Sequence, residues 1–112
     1  KPRSLTGSLE IFQQGISDLK GLECICDVQF LSIYESDDLT SLIGLEHVQS
    51  TRDLSIQENE RLKKLNGLDN LENVEKSVSI HANTELTSLE GLEKLNSVGH
   101  YLHIGQNHYL KS

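Results

Sequence analysis

Glycine followed by leucine recurs at positions 21, 44, 67 and 91, so a spacing of 23, 23 and 24 residues governs almost the whole chain. Periods of this length mark stacked-coil architectures, in which no unit buries its apolar face alone and stability comes from neighbouring units. The unit from Gly67 to Glu90 reads GLDNLENVEKSVSIHANTELTSLE, the pattern G-L-x-x-L-x-x-V-x-x-x-V-x-I-x-x-N-x-x-L-x-x-L-x. Two different periods are nested inside it.

The first is a period of two. Leu9 and Ile11, Leu31 and Ile33, Leu54 and Ile56, Val78 and Ile80, and Leu102 and Ile104 each flank one residue, which is the alternation of a half-buried strand. Strands are expected near Ser8–Phe12, Phe30–Tyr34, Asp53–Gln57, Ser77–His81 and Tyr101–Gly105, each paired in parallel with the next coil. Three residues after each Ile of the repeats comes Ser36, Asn59, Asn83 or Asn107, and then Leu39, Leu62, Leu86 or Leu110. Asn caps backbone groups in turns and tolerates their geometry, so the chain turns there and these residues are expected to be structural.

The second period is three. Leu42, Leu45 and Val48 are matched by Leu65, Leu68 and Leu71, and by Leu89, Leu92 and Leu95. Such a run suits tight turns or short 3₁₀ pieces that send one side chain per turn inward, and leaves no room for a long helix. The expected fold is a leucine-rich-repeat, right-handed parallel β-helix-like solenoid, mostly β, with short 3₁₀ or irregular back turns. It forms a single repeat domain over 1–112, with a partial coil at 1–20 and repeats at 21–43, 44–66, 67–90 and 91–112, and reads as a piece of a longer chain.

With the units aligned, the strings LHIGQNHYLKS, VSIHANTELTSLEGL and FLSIYESDDLTSLIGL resemble the receptor L-domain family of leucine-rich-repeat-like folds. The resemblance covers roughly Leu5 to Ser112. It implies an extracellular or cell-surface protein that binds something along its sheet face. Repeat signatures report the scaffold, however, and function sits in surface positions grafted onto it.

Strand alternation fixes which positions those are, because the residues before, between and after each inward pair point out. Three outward columns follow: Ser8, Phe30, Asp53, Ser77 and Tyr101; Glu10, Ser32, Ser55, Ser79 and His103; and Phe12, Tyr34, Gln57, His81 and Gly105. Four of the five Phe and Tyr residues, Phe12, Phe30, Tyr34 and Tyr101, fall in these columns, where a core would not place them. Phe12, Phe30 and Tyr34 lie on adjacent strands and are expected to form one patch, and exposed contiguous apolar surface marks interaction sites. The ligand-binding candidates are Phe12, Phe30, Tyr34, Gln57, His81, Tyr101 and His103. Aromatics also favour strands for packing reasons alone, so the patch has a purely structural alternative.

Catalysis is not expected. The serine column Ser32, Ser55, Ser79 has no accompanying base, and stacked hydroxyls bonding across strands explain it. Glu10 and Asp53 are the only outward acids, two strands apart. No cofactor and no metal is expected either: His81, His100 and His103 lie near one another, but no Cys or carboxylate completes a tetrahedral set. The acidic turns Glu35, Asp37, Asp38, Glu58 and Glu60 lack the alternating carboxylate loop of a calcium site and read as a solvated face.

The net charge of −7 and a pI near 5.1 argue against a nucleic-acid partner, since such proteins gather Lys and Arg on one face. No apolar run reaches the ~20 residues of a membrane helix. The expected partner is a protein or a polysaccharide, and an open edge strand at either end of the solenoid also offers a pairing site for a second copy. Cys24 and Cys26, one residue apart, would form a strained bridge and flank the inward Ile25, which points both outward. Exposed thiols favour a reducing compartment, against the cell-surface expectation, unless they pair outside this stretch. The alternative to a binding module is a structural spacer of a cell-wall or envelope protein, and a polysaccharide-acting β-helix enzyme is a remote third reading.

Overall fold

The computed structural model describes residues 3–12, 19, 25–107 and 110, with the backbone alone for 3–8 and 25–27. Among the described residues seven strands form one parallel sheet system: β1 Arg3–Ile11, β2 Ile25–Tyr34, β3 Ser50–Gln57, β4 Asn73–Val74, β5 Ser77–His81, β6 Ser97–Val98 and β7 Tyr101–Gly105. The chain is a β-solenoid of about four turns, and no described residue is helical. The register follows the repeat, with Ile11, Ile33 and Ile56 in line across β1, β2 and β3, and Ile56, Ile80 and Ile104 in line across β3, β5 and β7.

β5 and β7 span the expected residues, whereas β1, β2 and β3 begin earlier because pairing starts upstream at Arg3, Ile25 and Ser50, an upstream pairing that the short β4 and β6 supply in the later coils. Two residues separate Val28 from Leu31 and Thr51 from Leu54, whereas three separate Val74 from Val78 and Val98 from Leu102. The added residue is the difference between a 23- and a 24-residue unit. It is accommodated by a bend at 75–76 and again at 99–100, which splits β4 from β5 and β6 from β7, as a one-residue insertion does in a β-bulge.

The back of each coil is a chain of single turns. Leu45 donates its amide to Leu42, Val48 to Leu45, Leu68 to Leu65, Leu71 to Leu68, Leu92 to Leu89 and Leu95 to Leu92, over 3.0–3.3 Å. Each turn points one apolar side chain inward, so Leu42, Leu45, Val48, Leu65, Leu68 and Leu71 are fully buried against Leu31, Ile33, Leu54, Ile56, Val78 and Ile80. Burial of each is worth about 1.5–3 kcal/mol. The coils are bonded to one another there as well, through Leu42 N to Asn66 O and Leu65 N to Glu90 O. The return at the turn is permitted by Gly44, Gly67 and Gly91, whose φ angles of 125°, 118° and 115° lie where side chains are strained.

At the other end of the strands a buried ladder closes each coil. Asn59 donates from Nδ2 to the Ile33 carbonyl and accepts the Ser36 amide on Oδ1, both at 3.1 Å. Asn83 repeats this toward Ile56 and Asn59, and Asn107 toward Ile80 and Asn83. Just before the ladder, Glu35, Glu58, Ala82 and Gln106 adopt positive φ between 50° and 59°. A left-handed conformation costs an L-residue about 1–2 kcal/mol. Glu58→Gly is therefore expected to raise the unfolding free energy by about 0.5–1 kcal/mol in urea denaturation, less than the full strain because glycine gains freedom in the unfolded chain.

One expected inward residue departs from the pattern. Leu102 is 53% exposed and Ile104 only partly buried, because no described coil covers β7. Together with Leu89, Leu92 and Leu95 they border an open depression of about 460 Å³. Cys24 lies outside the described residues, and of Cys26 only the backbone is described, so their expected outward placement and redox state fall there too.

Candidate functional site

The outward face of the sheet carries the residues that alternation assigns to it. Phe12 and Tyr34 lie side by side at the ends of β1 and β2 and stack, with ring centroids 5.0 Å apart and planes 11° from parallel. Phe12 remains 56% exposed, and Tyr34 is held in place by donating from Oη to Glu10 Oε1 at 3.4 Å. An exposed ring supported from behind costs little to immobilise on binding, which is why rigid aromatics anchor interfaces.

Phe30 does not join this pair. It is exposed, but it pairs with Ser8 and lies four residues before Tyr34 on β2, about 13 Å away at the rise of a parallel strand. The expected three-ring patch is thus a two-ring stack with Phe30 apart. Gln57 continues the Phe12–Tyr34 column and is fixed by donating from Nε2 to Ser55 Oγ at 2.8 Å. His81 and His103 stack on each other, with centroids 5.7 Å apart and planes at 30°. Tyr101 is 65% exposed at the far margin of the face.

The acidic turns expected as a solvated face do lie at least partly exposed, and they also come together. The chain gathers Glu35, Asp37, Glu58 and Glu60 with Phe12, Ala82 and Thr84 around an open pocket of about 580 Å³ at the carboxyl ends of the strands. The left-handed residues Glu35, Glu58 and Ala82 stand in register there and set its wall. None of the three is Gly or Asn, the residue types that ordinarily announce this conformation.

Glu10 and Asp53 are not brought together. Asp53 accepts the Ser77 amide on Oδ1 at 3.3 Å, and Glu10 accepts from Tyr34, so each carboxylate holds a structural partner. Among the described residues no group of three or more His, Cys, Asp or Glu could hold a metal ion, and no helix is long and apolar enough to cross a membrane.

Fold and face together define a class, a parallel β-solenoid presenting a sheet face with an aromatic pair beside an acidic pocket. No family model, curated protein or solved structure matches the chain.

Proposed function

We propose that this chain is a non-catalytic module that recognises a protein or polysaccharide through its exposed sheet face, as part of a secreted or cell-surface protein. The reading includes kinship with the leucine-rich-repeat solenoids, of the receptor L-domain kind and with a right-handed coil, on the strength of the repeat strings alone. The observation that supports binding is the stacked Phe12–Tyr34 pair, whose Phe12 ring faces solvent on the rim of the 580 Å³ pocket. Aromatic area in that position serves no core, and pocket-edge aromatics supply contact area at low entropic cost.

Phe12→Ala/Tyr34→Ala is expected to leave the circular dichroism spectrum unchanged while reducing retention of the protein on immobilised surface extracts and polysaccharides by about tenfold or more. Phe30→Ala, at the other end of β2, should have a smaller effect. Equal retention by parent and double variant would remove the binding reading and favour a spacer whose coils serve only to supply length.

A further inference from the structure

We propose that His81 and His103 form a two-imidazole site for a divalent transition-metal ion of the copper, nickel and zinc series. The two residues are diagonal neighbours on the same face of adjacent strands, since His81 pairs with Gly105 and His103 with Ser79. Their ring centroids lie 5.7 Å apart with the planes at 30°, so a modest rotation of either ring can turn an edge nitrogen toward the other.

Gly105 makes the space between them. A Cβ at that position would lie 3.1 Å from Nε2 and 3.3 Å from Cε1 of His103, and 3.7 Å from Cδ2 of His81, the ring atom bonded to Nε2. One edge of each imidazole therefore borders the same unfilled volume. As the rings stand, Nε2 of His103 faces this volume, and turning the His81 ring over exchanges Cδ2 for Nδ1 and brings a His81 nitrogen to the same gap.

Neutral imidazole suits copper, nickel and zinc, and affinity for a given nitrogen site rises toward copper. Calcium and magnesium require oxygen donors and are not expected. Among the described residues no third protein donor completes the site, which leaves the remaining coordination positions to water or to a donor group from outside the chain. Two nitrogens on a rigid sheet hold a metal more tightly than either alone because the strands have already fixed their separation. This site stands apart from the Phe12–Tyr34 pair and does not depend on the binding function proposed for it.

Titration of the full chain with copper(II), nickel(II) and zinc(II) chlorides, followed by calorimetry and by the imidazole resonances, tests the site. One equivalent of metal should bind saturably, copper most tightly, with selective broadening of the His81 and His103 ring signals by copper or nickel. His81→Ala and His103→Ala should each weaken binding by about tenfold or more, while His47→Ala and His100→Ala leave it unchanged. Gly105→Val retains both imidazoles but fills the space between them, and should also weaken binding. All four histidines are at least partly exposed, so circular dichroism should show each His variant folded. Binding that survives His81→Ala/His103→Ala, that is lost in His100→Ala instead, or that is absent altogether would overturn the assignment.

Discussion

Asn83→Ala is expected to lower the unfolding free energy by about 3–5 kcal/mol, a large share of the 5–15 kcal/mol typical of a whole domain. Asn83 is fully buried, and its Oδ1 accepts both the amide and the Nδ2 of Asn59 at 3.1 Å. Its Nδ2 donates to the Ile56 carbonyl at 3.0 Å and lies 3.2 Å from Asn107 Oδ1. Removing it forfeits these bonds, and the heavier loss is the Asn59 amide left without an acceptor in the interior, since a buried unsatisfied donor costs about 1–3 kcal/mol. The chain contains its own comparison, because Ser36 occupies the equivalent place two coils earlier. Its Oγ reaches the Ile11 and Tyr34 carbonyls only at 3.4 Å, so Asn83→Ser should restore part of the loss and no more. Urea denaturation at constant m-value measures both. A loss below about 1 kcal/mol for Asn83→Ala would mean that water replaces the side chain and that the ladder is not what closes the coils.

Gly67→Ala is expected to destabilise by about 3 kcal/mol or more, for two reasons that add. The φ of 118° lies in a region where a side chain is strained, and a Cβ built there would overlap the Leu42 carbonyl of the preceding coil. Backbone cannot rotate aside as a flexible side chain does. The coils would have to separate, which also stretches the bond from Leu42 N to Asn66 O and opens the packing of Leu42 and Leu65. Thermal unfolding of Gly67→Ala and Gly91→Ala should show similar drops, as Gly91 has φ 115° and meets Leu65 in the same way. A midpoint within a few degrees of the parent in both would show that the back of the solenoid yields easily, because about 1 kcal/mol corresponds to roughly 4–8 °C in a domain of this size.

Much of this architecture was legible because the repeat is also the physical unit. The Leu-x-Ile pairs predicted the inward positions from Leu31 to Ile80, and these are buried. The third-residue spacing predicted the back turns, which form as single hydrogen-bonded turns at that interval. The Asn positions predicted capped turns, although the ladder is more extensive than a local cap, since each Asn serves the coil before its own. What the sequence hid depends on contacts between coils or on unusual backbone. Leu102 carries the inward pattern yet is exposed, as alternation assigns a face and cannot supply a neighbour to cover it. Phe30 shares a face with Tyr34 but sits at another height, a distinction visible only once strand position is considered with strand order. The gathering of Glu35, Asp37, Glu58 and Glu60 required left-handed turns at residue types that do not advertise them.

The Asn ladder has a bearing on how a chain of this kind changes in length. The side chain that completes each coil is encoded in the repeat downstream, so the bonded unit straddles two sequence units: Asn59 lies 26 positions after Ile33, and Asn83 lies 27 positions after Ile56. Excising one whole unit of 23 or 24 residues that includes a single ladder Asn brings the next Asn into its place, so the closing carbonyl and amide again face an Asn side chain. An excision of any other size leaves a closing turn facing the wrong residue. Viable insertions and deletions are therefore quantised in whole coils, and the sheet behaves as a ruler graduated in steps of about 4.8 Å.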